Sequence, residues 1–261
     1  MPIPIALTIA GSDSGGGAGI QADLKTFAYH HVHGTCAITC VTAQNTQGVT
    51  RVDAMSPESV SAQIEAVVTD MRVVALKTGM LLNSDLIRLV AKKIAALGYG
   101  NVVIDPVMVS RAGVTLIDQE AITSLTRLIL PLALIVTPNR YEAQVLAQME
   151  INGLADMQVA AQRIYELGAK SVLIKGGALL NELKGTDLWF DGENAQVLQT
   201  EIIDTLHTHG TGCTLSAAIA SQLALGQSLD RAVKLAKEYI TQALKLPLAI
   251  GKGRGTVTHL L

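Results

Sequence analysis

The chain has 261 residues, with 20 Lys and Arg interspersed against 22 Asp and Glu for a formal charge of −2. That balance argues against nucleic-acid binding, which needs a basic face. Apolar residues make up 49% but aromatics only 3%, so Ile, Leu, Val and Ala must fill a large core, and no apolar run approaches the roughly 18 residues of a membrane span. Three cysteines, an odd number, suggest a reduced cytoplasmic setting rather than a disulfide framework. The start, Met1-Pro-Ile-Pro-Ile5, lacks the basic region of a signal peptide.

A β-branched run at residues 5–10 predicts the first strand, followed by Gly11-Ser-Asp-Ser-Gly-Gly-Gly-Ala-Gly19 and a helix over 18–30. The glycines match GxGxxG poorly, no acidic residue closes a second strand about 20 residues on, and no Gly-Lys-Ser/Thr follows. A glycine-lined wall for a small planar ligand fits better than a dinucleotide or Walker A loop. A strand at 35–42, a helix at 57–71 and a strand at 73–76 come next, the last ending in Lys77-Thr-Gly-Met80. A helix at 84–97 leads to a strand at 101–104 that ends in Asp105. A helix at 119–130 precedes a strand at 134–136, which ends in Thr137-Pro-Asn139 with Glu142 one turn into a helix at 141–148. A helix at 157–167 and a strand at 171–174 deliver Lys175-Gly-Gly177. Residues 183–190 and 196–202, joined by Asp191-Gly-Glu-Asn194, read as an edge hairpin. Helices at 211–225 and 229–244 precede a glycine-rich tail.

Strands alternating with helices imply βαβ units, hence one domain with a mostly parallel sheet covered by helices on both faces. Ligands of such sheets bind outside the carboxyl ends of the strands. Lys77, Asp105, Asn139 with Glu142, and Lys175 all fall there, which points to a site for a metal and phosphates.

The most informative stretch is Asp204-Thr-Leu-His-Thr-His-Gly-Thr-Gly-Cys213, running into an apolar helical pattern. Gly210 and Gly212 permit a sharp turn, and unpaired N–H groups at the helix start make an anion hole suited to phosphate. A helix N-terminus also favours a thiolate, so Cys213 is a candidate base. Other signals weigh less. His30, His31, His33, Cys36 and Cys40 cluster, but a zinc site is the weaker reading and packing the stronger. Lys237 reads as a solvated surface lysine. Arg111 and Gly113 are placed in a flap where Arg111 meets phosphate.

Several long motifs stand in one order: Leu7-Thr-Ile-Ala-Gly-Ser-Asp-Ser14, Ala18-Gly-Ile-Gln-Ala-Asp-Leu-Lys-Thr-Phe27, Val41-Thr-Ala-Gln-Asn-Thr46, Lys77-Thr-Gly-Met-Leu81, Val103-Ile-Asp-Pro-Val-Met-Val-Ser110, Thr137-Pro-Asn139 and Thr208-His-Gly-Thr-Gly-Cys-Thr214. With them the chain closely resembles the hydroxymethylpyrimidine/phosphomethylpyrimidine kinases of thiamine biosynthesis, in the ribokinase-like superfamily. The resemblance implies a three-layer α/β/α ribokinase-like fold and a homodimer. It also implies ATP- and Mg²⁺-dependent phosphorylation of 4-amino-5-hydroxymethyl-2-methylpyrimidine, then of its monophosphate. A pyridoxal-type kinase is the alternative. By this resemblance Gln44 reads the pyrimidine, with Gly11, Asp23 and Met80 in the substrate site. Gly210, Thr211, Gly212 and Cys213 form the anion hole with Cys213 as base. Asp105, Asn139, Glu142 and Lys175 serve ATP, and Asp105 and Glu142 serve Mg²⁺ directly or through water. The chain departs from the family pattern at Ala178, at His207, and in the tail Gly251–His259, which lacks Gly-Pro before its histidine.

Overall fold

The structure, a computed structural model, describes residues 3–108, 117–177 and 184–259. Its nine-stranded sheet runs β3-β2-β1-β4-β5-β6-β7-β8-β9. The strands are β1 (Ile5–Asp13), β2 (His33–Asn45), β3 (Gly48–Ala54), β4 (Val73–Thr78), β5 (Val102–Ile104), β6 (Ile135–Val136), β7 (Val172–Ile174), β8 (Asp187–Phe190) and β9 (Ala195–Leu198). Strands β2, β1, β4, β5, β6 and β7 pair in parallel, whereas β3, β8 and β9 are antiparallel additions at the two edges. The chain steps from β1 outward to β2 and then back across to β4, so the order reverses beside β1, where open α/β sheets place their ligands.

Alternation along the central strands builds two cores. Leu7 and Ile9, Leu76, Val102 and Ile104, Val136, and Val172 and Ile174 face one side. There they meet Val60 and Ile64 of α2 (Pro57–Val68), Leu86, Ile87 and Val90 of α3 (Ser84–Leu97) and Met157 of α6 (Leu154–Glu166). Their neighbours Ala6, Ala75, Val103, Ile135 and Leu173 face the other side. That side is covered by Phe27 of α1 (Gly19–Tyr29), by α7 (Thr211–Ala224) and by α8 (Leu229–Lys245). Helix α7 is buried on all sides from Thr214 to Leu223, which its run of Ala and Ser permits, since small side chains let it lie close to the sheet. Among the described residues no helix is long and apolar enough to cross a membrane.

Several elements differ from the sequence reading, among them β2, which runs on to Asn45, and β9, which ends at Leu198 rather than at residue 202. Strand β1 continues past Ala10 through Gly11 to Asp13, with a register shift between Ala10 and Ser12. Strand β3 was not expected, because every one of its residues is exposed and so no apolar alternation marks it. The helix expected over 119–130 is α4 (Gln119–Ser124), which passes into a π turn at Leu125–Ile129 and a 3₁₀ turn at Leu130–Leu132. Pro131 lacks the N–H that a continuing α-helix needs. Helix α5 spans Arg140–Ala147.

Asp23 also differs from its expected place. The resemblance puts it in the substrate site, but it lies fully buried on the inner face of α1. Its carboxylate accepts from Lys77 Nζ at 2.8 and 2.9 Å and from Thr8 Oγ1 at 2.6 Å, so its acceptor capacity is spent within the core. Burial alone would lower the Lys77 pKa, but the charges of Asp23 and Asp105 outweigh it and hold the ammonium ionised. Replacing Asp23 by Ala strands that charge and should cost about 3–5 kcal/mol in denaturant unfolding. The double change Asp23→Leu/Lys77→Met should recover most of the loss. A single variant as stable as the parent would show that the pair is not needed by the fold.

Candidate active site

A cavity of about 530 Å³ opens at the carboxyl ends of the central strands. Asp105 after β5, Asn139 and Glu142 at the start of α5, and Lys175 after β7 form one wall, and Gly210, Thr211, Gly212 and Cys213 at the start of α7 face them. A Cβ on Gly212 would stand 3.2 Å from Lys175 Nζ and 3.8 Å from Asp105 Oδ2, so the first turn of α7 sits directly over the charged wall.

The wall is held by local chemistry. Asn139 Oδ1 accepts from the Glu142 N–H at 3.0 Å, and Glu142 Oε2 accepts from the Asn139 N–H at 2.7 Å, a reciprocal cap that starts α5. Lys175 Nζ donates to Asp105 Oδ1 at 2.8 Å. Burial alone would lower Lys175, but the charge of Asp105 and its hydrogen bond outweigh it and keep the ammonium ionised. Burial pushes the Glu142 carboxyl up to about 8; Asp105 adds to the shift and Lys175 opposes it.

Gly210, at φ 83°, caps α7, and any Cβ on it would collide with the carbonyl oxygen of Gly17. The two glycine loops therefore touch backbone to backbone. The Thr211 N–H donates to the Thr208 carbonyl at 3.3 Å, while the N–H groups of Gly212 and Cys213, in the first turn of α7, have no helical carbonyl to bond and point the helix start at an anion. Cys213 corrects the sequence reading. Its thiol is pushed up to about 11 by burial, with Asp23 and Asp105 adding to the shift. The helix start, Lys77 and the Gly19 N–H favour a thiolate, but here burial outweighs them.

Gln44, Gly11 and Met80 lie beside the cavity rather than in its lining. A Cβ on Gly11 would meet Cys40 Sγ at 2.8 Å and Met80 Cε at 3.2 Å, so these three groups touch. Gln44 Nε2 is 3.2 Å from His209 Nε2, which in turn is 2.9 Å from Asp13 Oδ2. Asp13 also accepts from the N–H groups of Gly15 at 2.8 Å, Gly17 at 3.1 Å and Ala18 at 2.9 Å. Burial would raise the Asp13 pKa, but the bonds from His209, Gly15 and Ala18 hold it below the ordinary carboxylate value.

Asp13 and His209 were not singled out from the sequence. An acid inside a glycine run, whose amides can turn onto it, was the available signal. Lys237 was misread as a surface lysine. It is buried, lines the cavity, and donates to Asp187 Oδ2 at 2.7 Å and to the Gly185 carbonyl at 2.6 Å. Asp187 Oδ1 accepts from the Gly176 N–H at 2.8 Å, so this pair braces the Lys175-Gly176 turn. His207 Nδ1 accepts from the Gly255 N–H at 2.9 Å, tying the tail to the anion loop. His30 packs edge-on against Tyr29 and Tyr239 and is lowered to about 4 by burial, while burial raises the thiols of Cys36 and Cys40. Arg111, Gly113 and Ala178 lie outside the described residues.

A family model described as phosphomethylpyrimidine kinase matches residues 13–258. The hydroxymethylpyrimidine/phosphomethylpyrimidine kinase of Synechococcus elongatus is 60% identical over 259 residues, 99% of this chain and 98% of that protein. Among solved structures, an ADP complex of Bacillus subtilis pyridoxal kinase superposes with a TM-score of 0.93 at 42% identity, covering 99% of this chain and 98% of that one. A phosphomethylpyrimidine kinase from Clostridium difficile superposes with a TM-score of 0.84 at 41% identity, covering 94% of this chain and all (100%) of that one. The fold is thus the three-layer ribokinase-like architecture.

The Glu142 carboxyl sets a testable pH dependence. Its pKa rises from the ordinary 4.5 to about 8 on folding. Between those values the folded protein keeps a proton that the unfolded chain has lost, so this group's contribution falls as pH rises. The slope is at most about 1.4 kcal/mol per pH unit. Glu142→Gln retains the cap and removes the titration, so its urea stability relative to the parent should increase from pH 5 to pH 8. Parallel stability curves for the two proteins would refute the shift.

Proposed function

The chain belongs to the phosphomethylpyrimidine kinase family, and from that premise we propose that it uses ATP to phosphorylate 4-amino-5-hydroxymethyl-2-methylpyrimidine and then its monophosphate. The observation that carries this reading is the first turn of α7 lying over the Asp105–Lys175 pair in one cavity. A phosphoryl group in flight needs donors around its equatorial oxygens and cations near the leaving phosphates. The α7 amides supply the first and Lys175 the second.

The acceptor enters on the other side of that helix start. An amide offers both donor and acceptor, so Gln44 pairs with the aminopyrimidine edge, beside the wall where Gly11, Cys40 and Met80 pack together. Asp105 and Glu142 form a two-carboxylate wall, not a closed cage. That suits Mg²⁺, which takes one or two carboxylates and completes its shell with phosphate and water oxygens. Bound there, the ion would neutralise charge on the nucleotide phosphates, and Glu142 would release its proton to hold it.

In this reading Cys213 takes the proton of the attacking alcohol. With its thiol near 11, ionisation is the scarce event, so the base role should show as a rate that climbs with pH. Substrate overlap with pyridoxal is a second reading, favoured by the likeness to the Bacillus subtilis pyridoxal kinase. The protein is further proposed to be cytoplasmic and a homodimer. Val49 and Val52 of β3, exposed and paired with Gln44 and Thr42 on one face of the sheet, offer apolar ground for a second copy, which light scattering on the eluting protein would check.

The direct test supplies Mg-ATP with the pyrimidine alcohol, its monophosphate and pyridoxal in separate reactions. Turnover of the first two supports the reading, and turnover of pyridoxal alone overturns it. Gln44→Leu should raise the KM for the pyrimidine by the equivalent of about 1–3 kcal/mol. An unchanged KM would remove Gln44 from recognition.

Cys213→Ala separates the two transfers, since an alcohol must lose a proton whereas a phosphomonoester is already largely dianionic at pH 7. Alcohol phosphorylation should slow by about 10²–10⁴ and lose its rise with pH. Diphosphate formation should change far less. Equal losses in both reactions would point to loop geometry instead.

A further inference from the structure

The second transfer poses a charge problem that the first does not. Its acceptor brings a phosphomonoester of about −1.5 to −2 charge into a cavity that already receives the nucleotide phosphates. Most cations around the cavity are committed. Lys175 is 2.8 Å from Asp105, Lys237 is 2.7 Å from Asp187 and Lys184 is 3.4 Å from Asp204. Arg254 also lines the cavity, and among the described residues no carboxylate lies within ion-pair distance of its guanidinium.

Its backbone is fixed on both sides. The Arg254 N–H donates to the Thr46 carbonyl at 3.0 Å, two residues beyond Gln44. The next residue, Gly255, donates to His207 and accepts from the His209 N–H at 3.2 Å. A Cβ on Gly253 would collide with the Thr46 carbonyl, and one on Gly255 with the Leu248 carbonyl, so the chain passes here at backbone-contact distance. Arg254 is thereby held between the strand end that carries Gln44 and the loop that carries the anion hole. Asp105, Asn139 and Lys175 form the wall proposed to hold the nucleotide, and none of them is among these contacts. The side chain itself is exposed at the cavity mouth, free to swing onto an incoming group.

We infer that Arg254 grips the phosphate of an acceptor that already carries one, and so selects for the second transfer; this rests on the proposed kinase reading. A guanidinium matches two phosphate oxygens with parallel N–H groups, which a lysine at the same place does not. For the first acceptor, an uncharged alcohol, the same side chain has nothing to hold.

The test is steady-state kinetics of Arg254→Ala and Arg254→Lys with the alcohol, the monophosphate and ATP each varied in turn. For Arg254→Ala the KM for the monophosphate should rise on the order of 10- to 100-fold, the range of lost charged hydrogen bonds. The KM values for the alcohol and for ATP should stay within about twofold, and Arg254→Lys should recover only part of the loss. Titration calorimetry with the pyrimidine monophosphate and no nucleotide should show the same weakening. An ATP KM that rises as much as the monophosphate KM would put Arg254 on nucleotide phosphates and overturn the inference. So would equal losses for alcohol and monophosphate, or no loss at all. If the parent turns over neither pyrimidine, the kinase reading itself has failed, an outcome distinct from a parent that works and an Arg254→Ala that matches it.

Discussion

The carboxylate of Asp13 is the constraint on which the cavity depends. Three N–H groups of the glycine loop and one imidazole converge on its two oxygens. A glycine run has more backbone freedom to lose than any other sequence, and such a loop holds one shape only if something fixes its amides. Here a single buried acid does so. The loop it fixes lies against Gly210, so the start of α7 inherits its position from the same acid. Through His209 the hold reaches Gln44, which connects the amide proposed to read the ring to the helix start proposed to receive the phosphate.

The ionisable groups form a second layer of organisation. Lys77 with Asp23, Lys175 with Asp105 and Lys237 with Asp187 are three ion pairs at or beneath one cavity. Buried pairs of this kind add little to stability beyond what they lose in desolvation, so stability does not explain their presence. They do set the local potential. Asp23 and Asp105 push the Cys213 thiol up, Lys77 pulls it down, and Asp105 with burial keeps Glu142 protonated. Burial thus favours the protonated form of both groups that the proposed chemistry needs deprotonated.

The strand and helix pattern could be read from the sequence because each central strand alternates between two cores, and the polar groups that follow the strands mark the ligand edge. Asp105, Asn139, Glu142 and Lys175 were legible for that reason. What could not be read was pairing at long range. Asp13 and His209 are 196 positions apart, and nothing local in either predicts the other. Lys77 looked like another strand-end ligand until α1 placed Asp23 beneath it. The argument for an ionised Cys213 was sound as local electrostatics, but burial is a property of the whole fold and reversed its outcome. Lys237 failed for the same reason, since its helix shows a polar face whose tertiary cover the sequence does not display.

The tail segment between Gly251 and Thr256 has a consequence for the order of assembly. It completes the cavity mouth through contacts with Thr46, the Gly253 bond spanning 207 positions, and with the His207–His209 loop. Contacts of such separation carry a large loop-closure cost and are not repaid until the intervening structure exists. The parallel sheet and both helical layers can therefore condense around an unfinished site. A chain caught at that stage would be compact and helical yet have no closed mouth. The mouth that the tail completes can thus close only once the sheet and both helical layers exist to receive it.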